Sequence, residues 1–129
     1  MEQPERTVKT LTGKGPVRRI DHRDLDFVHR GGPPGAAMVA RALSNEVSPN
    51  LGVGFARWEG AEVSWTLLYD EVIFVIEGCF ELTANGEHHR VEPGQMLWIP
   101  EGTELIYGGH ALFGYVVYPG DWKQRHGLN

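Results

Sequence analysis

Glu71 is the residue of this 129-residue chain best placed to do chemistry. It closes the run Trp65-Thr66-Leu67-Leu68-Tyr69-Asp70-Glu71, in which the odd positions share one face of a regular strand. That face carries Trp65, Leu67, Tyr69 and Glu71 and sets a carboxylate in apolar, aromatic surroundings. Burial there raises a carboxyl pKa and suits the group to general acid or base work near neutrality. The alternative role is structural, with Glu71 accepting a hydrogen bond from a tyrosine and stabilising the fold. Tyr69, Tyr107 and Tyr115 are read as inward-facing; they orient a ligand or fill the interior. Trp65 is read as a pocket wall, and Trp98 and Trp122 as core or dimer contacts. Asp70 is assigned to capping the turn that leads into the Glu71 strand.

Other chemistries find less support. The histidines are dispersed at positions 22, 29, 88, 89, 110 and 126. His88 and His89 are adjacent, and neighbours on a strand point to opposite faces, so they cannot both hold one ion. The reading is therefore of no metal and no cofactor. Gly13-Lys14-Gly15 is too short for a phosphate-binding loop, and no helix follows it. An inward face of Leu, Trp and Tyr supplies little positive charge for phosphoryl transfer. The single cysteine, Cys79, forms no internal disulfide and reads as a small buried hydrophobe.

Twelve basic against 17 acidic residues give a net charge of −5, which argues against nucleic acid or an anionic membrane as partner. The longest apolar run, Val72 to Ile76, is far short of the ~20 residues that span a bilayer. The polar N-terminus lacks the apolar stretch of a signal peptide. The expectation is a cytoplasmic protein.

The elements that must position these residues are β-strands. Glycine (17) and proline (8) punctuate short apolar runs, the pattern of many strands and tight turns. Strands are expected at Val17–Ile20 (an edge strand), Ala36–Leu43, Leu51–Trp58, Glu62–Leu68, Glu71–Ile76, Phe80–Ala84 and Glu87–Val91. Met96–Ile99 is read as a buried strand, followed by Glu104–Tyr107 and Ala111–Tyr118. Breaks fall at the Arg30-to-Gly35 run, at Gly78 and at Gly108-Gly109, and Asn85-Gly86 forms a two-residue hairpin turn. The chain divides into a lead-in (1–15), one β-barrel domain (16–122) and a tail (123–129). An all-β sandwich or barrel follows from this spacing.

Two segments resemble the paired motifs of the cupin superfamily. Glu71, six residues and Gly78 match the second half of the first motif; Gly94, five residues, Pro100, Glu101 and Gly102 match the start of the second. The resemblance implies a conical jelly-roll barrel with a small-molecule ligand inside, and commonly a homodimer. It also implies positions for three metal-binding histidines, which here are Trp65, Leu67 and Leu105, and for an asparagine, which here is Gly109; only Glu71 remains of that ligand set. Gly52-Val53-Gly54-Phe55, the Trp65-to-Glu71 run and Tyr115-Val116-Val117-Tyr118-Pro119-Gly120-Asp121-Trp122 are more specifically similar to the Q-protein cupins of ethanolamine-utilisation operons. That likeness implies acetate kinase activity. The residues favour a metal-independent cupin acting on a small carbon metabolite, or a non-catalytic ligand-binding or assembly subunit of a catabolic pathway.

Overall fold

The structure, a computed structural model, describes residues 16–44, 46–48 and 50–128. The lead-in over 1–15 lies outside the described residues. Eight strands are formed among the described residues: β1 (Val28–Gly31), β2 (Ala36–Leu43), β3 (Gly52–Glu59), β4 (Val63–Thr66), β5 (Asp70–Ala84), β6 (Glu87–Val91), β7 (Met96–Ile99) and β8 (Glu104–Tyr118). A short helix, α1 (Trp122–Arg125), follows β8.

All pairings are antiparallel, in the order β1-β2-β3-β8-β5-β6, with β4 added to β8 and β7 to β5. The long strands β5 and β8 pair along their whole length, from Asp70 opposite Tyr118 to Ala84 opposite Leu105. Their first and second halves belong to different layers. The end near Glu71 is flanked by β7 and β3, and the end near Leu82 by β6 and β4. Strands that bend and pass from one layer to the other make the corner of a jelly roll.

The bend is the main departure from the sequence expectation. Gly78 and Gly108-Gly109 do not end strands. The β5–β8 register shifts between Val75 and Glu77, and Gly78 (φ +81°) and Gly109 (φ +90°) face the partner backbone so closely that a side chain would collide with it. These glycines therefore let two continuous strands bend through a bulge. A glycine looks the same in sequence whether it turns the chain or only bends it.

Other corrections are local. Val17–Ile20 is not a strand; the chain there runs to a 3-10 turn, His22–Asp24, capped by Asp21, whose Oδ1 accepts from Arg23 N at 2.9 Å. The strand at that end is β1, held by β2. β7 is not buried: Ile99 points inward, while Met96 and Trp98 lie outside and Trp98 is 63% exposed. Trp98 is thus not core. Asn85 (φ 54°) and Gly86 (φ 77°) form the hairpin turn expected of them. Asp70 accepts a 2.8 Å hydrogen bond from Glu101 N and ties the turn after β7 to the start of β5.

The core is aromatic and aliphatic. Trp58, Phe80, Tyr107 and Phe113 stack with ring centroids 4.5–6.0 Å apart, and Ile73, Leu82 and Leu105 fill around them. The buried set on β3 is Gly54, Ala56 and Trp58, smaller on average than the apolar set Val53 and Phe55. Small residues there leave room that larger ones would close.

Candidate functional site

That room is a cavity of about 460 Å³ inside the barrel. The barrel is therefore not filled by its own side chains. Glu71, Tyr69, Trp65, Tyr107 and Tyr115, the five residues singled out from sequence, all line it. They arrive from different strands. Glu71 sits near the start of β5, opposite Val117 and Ile99. Tyr107 and Tyr115 come from the two halves of β8, and Trp65 from β4. Tyr69 precedes β5, where the chain turns from β4.

Glu71 is 6% exposed and is the one buried charged or polar side chain among the described residues. The Tyr107 hydroxyl donates to its Oε1 at 2.8 Å. Burial raises the Glu71 pKa from an ordinary 4.5 to about 7, and the Tyr107 hydrogen bond acts in the opposite direction because it favours the charged form. The tyrosine hydrogen bond expected of a structural Glu71 and the raised pKa expected of a chemical one are thus both present. Burial, reinforced by the Glu71 charge, holds the Tyr107 and Tyr69 hydroxyls protonated well above the usual tyrosine range. Trp65 Nε1 donates to the Tyr69 hydroxyl at 3.2 Å, and the Trp122 ring packs on both, 4.8 Å from Tyr69 and 6.2 Å from Trp65. Trp122 is thereby a cavity wall.

Tyr107→Phe tests this pairing. The variant should move the Glu71 pKa further above 7, since the donor that favours the carboxylate is gone, and should cost about 1–3 kcal/mol where Glu71 is ionised. A pH titration of the carboxyl stretch by infrared spectroscopy reads the shift. An unmoved pKa would mean that the hydroxyl does not serve the carboxylate.

The donor set does not fit a cupin metal. Leu67 and Leu105 are buried in the core, Trp65 offers only an N–H that Tyr69 already accepts, and Glu71 is the lone carboxylate among the cavity-lining residues. Three or more His, Cys, Asp or Glu side chains do not converge anywhere among the described residues. His88 pairs with Glu81 at 2.9 Å and His89 lies 3.6 Å from Glu87, both on the far hairpin. Cys79 is half-buried, away from the cavity.

Of the other residues lining the cavity, four bear on its chemistry and were not singled out from sequence. Arg30, Arg41 and Lys123 line it beside Trp58. The expectation that the inward face would carry little positive charge is thus corrected at the mouth. β1 and β2 bring the two arginines, and α1 brings the lysine. Nothing in the local sequence marks them, because they are exposed residues whose relevance comes only from pairing β2 with β3. Trp58 had a readable signal, its alternation with Gly54 and Ala56 on one face of β3.

Comparison with known proteins identifies the family. The family model of the ethanolamine utilisation protein EutQ matches residues 2–124. The acetate kinase EutQ of Escherichia coli K12 is 30% identical over 118 residues, covering 89% of this chain and 51% of the relative. The chain thus spans about half the length of the curated enterobacterial relatives it matches. The crystal structure of the ethanolamine utilization protein Q of Salmonella typhimurium LT2 superposes with a TM-score of 0.76 at 30% identity, over 85% of this chain and 92% of that one. The cupin domain of Schizosaccharomyces pombe Cnp3, 15% identical, superposes with a TM-score of 0.60 over 84% of this chain and 80% of that one, a likeness of fold alone. With the jelly-roll fold and this match over nearly its whole length, the chain belongs to the EutQ family of cupins.

Proposed function

We propose that this chain is a ligand-holding cupin in which Glu71 exchanges a proton with a small organic molecule bound in the barrel, without a metal. The observation that carries the reading is a carboxyl with a pKa about 7, hydrogen-bonded to Tyr107, on the wall of a 460 Å³ cavity. A group whose pKa equals the working pH is present in both protonation states and transfers its proton at least cost in either direction. Tyr107 holds the carboxyl in place, and Tyr69, Trp65 and Tyr115 shape the space in front of it. No membrane-spanning helix is present among the described residues, and a cytoplasmic setting is part of the proposal.

Phosphoryl transfer, the activity named for the curated relatives, is the second reading. The cations at the mouth favour an acyl phosphate or carboxylate substrate, whereas no cluster of acidic side chains among the described residues offers a magnesium site. The discriminating experiment incubates the protein with a panel of small carbon metabolites, with and without ATP and magnesium, followed by proton NMR. ATP-independent turnover with a pH inflection near 7, abolished in a folded Glu71→Gln variant, is the expected result. Turnover that needs ATP and survives Glu71→Gln would sink it. Saturable binding without turnover would move the chain to the non-catalytic ligand-binding alternative.

We also propose that a second copy covers the outer face of β7 and β5. Trp98 lies across from Val72, and Met96 from Phe74, whose ring rests over Gly114. Trp98, Met96 and Phe74 are exposed, as is Tyr118 at the neighbouring edge of β8. Large apolar side chains side by side on a sheet face mark an interaction surface. Light scattering should give a dimer for wild type and a monomer for Trp98→Glu; a monomeric wild type would refute the pairing.

A further inference from the structure

Two features of the cavity are used neither by Glu71 nor by its tyrosines. The first is Trp58. It is 6% exposed, lines the cavity, and its Nε1–H has no hydrogen-bond partner among the described residues. A buried donor left without an acceptor is a standing cost of folding, and it persists where a bound molecule brings the acceptor. The second is the charge at the mouth. Arg30, Arg41 and Lys123 carry no carboxylate within ion-pair distance among the described residues, although the chain as a whole carries a net −5. In an acidic protein, three unpaired cations around one opening create a local positive field that draws anions in. Tyr115 on the same cavity has its hydroxyl pKa raised by burial; Arg41 and Arg30 favour its ionised form, and the Glu71 charge opposes it.

Much of the wall is rings and aliphatic groups: the Trp58 ring packs against both Tyr107 and Phe113, and Val39 also lines the cavity. A volume near 460 Å³ is that of a site for a molecule of drug-like size, and acetate would occupy only a corner of it. The three cations and the Trp58 N–H thus share one cavity with an extensive apolar wall.

We propose that the cavity takes an amphipathic organic anion. Its apolar or aromatic body lies against Trp58 and Phe113, one acceptor atom receives the Trp58 N–H, and its carboxylate or phosphate group is held at the mouth by Arg30, Arg41 and Lys123. This rests on the ligand-holding reading above, and it names a ligand class larger than acetate.

The test is calorimetric titration with matched probes: phenylbutyrate, its neutral amide, phenylpropyl phosphate, acetate and ATP. Wild type should bind phenylbutyrate or phenylpropyl phosphate at least tenfold tighter than the amide, and the tighter of the two identifies the anionic group. The preference should shrink with added salt, fall several-fold in the double variant Arg30→Ala/Arg41→Ala, and vanish when Lys123→Ala is added. The substituted side chains are exposed, so both variants should stay folded. Trp58→Phe, which keeps the ring and removes the N–H, should weaken binding several-fold without lowering thermal stability. Equal binding of the amide and the acid would overturn the anion assignment while leaving a ligand-holding barrel intact. Acetate binding as tightly as phenylbutyrate, ATP displacing it, or no probe binding at all would also overturn the proposal, and the Glu71→Gln turnover experiment is independent of every one of these outcomes.

Discussion

Glu71→Gln should be markedly more stable than wild type at pH 8 and nearly equal to it at pH 4.5. The folded chain holds the Glu71 proton up to about pH 7, whereas the unfolded chain releases it near 4.5. Between those values the native state binds more protons than the unfolded state, so stability falls as pH rises. The contribution of the neutral carboxyl is fully present below 4.5 and is lost as the pH climbs through 7. Its full size is on the order of 3 kcal/mol. Glutamine cannot ionise, yet its carbonyl still accepts from Tyr107, so the variant escapes the loss. A chain of this length should show a difference of roughly 10 °C in melting temperature at pH 8. Scanning calorimetry of both proteins from pH 4.5 to 8 measures it, and a difference that does not change with pH would remove Glu71 as a buried titrating group. A stabilised but inactive variant would also show that this carboxyl is kept at a cost to stability, as functional groups often are.

Gly78→Ala should destabilise the fold by about 4 kcal/mol, combining left-handed backbone strain with a collision in a closed space. Its φ is +81°, and an added Cβ would run into the carbonyl oxygen of His110 and come within 3.0 Å of the Ala111 Cα. Neither neighbour is the free end of a side chain, so the β5–β8 ladder itself would have to part at the corner between the two layers. Gly86→Ala is the matched control, because that glycine has a similar φ of +77° and nothing within 4 Å of the added carbon. It should cost only about 1 kcal/mol. Urea denaturation of the two variants separates the terms. Equal losses would mean that the corner yields and the close approach at Gly78 is not a constraint. If Gly78→Ala is too unstable to purify, its soluble yield beside that of Gly86→Ala gives the same ordering.

The odd positions Trp65, Leu67, Tyr69 and Glu71 all turn inward, as a period of two suggests, although the run is not one strand: β4 ends at Thr66 and β5 begins at Asp70. The burial of Glu71, and with it the direction of its pKa, was readable from the apolar residues around it in that segment. Asn85-Gly86 was readable because only a few residue types accept positive φ. Tertiary structure decided the rest. Gly78 and Gly109 read as turns, since a lone sequence does not show that another backbone lies against them, and only the pairing of β5 with β8 makes them bends in continuous strands. Met96–Ile99 read as buried because an apolar run carries no record of whether a second layer covers it; β7 is an edge, and Trp98 faces outward. Arg30, Arg41 and Lys123 are exposed cations with no local signature, and the strand order and the helix after β8 gather them at one opening. Glu71 needed only its own segment to be found, whereas the cations that we propose select its ligand are neighbours in space alone, brought together by long-range pairing.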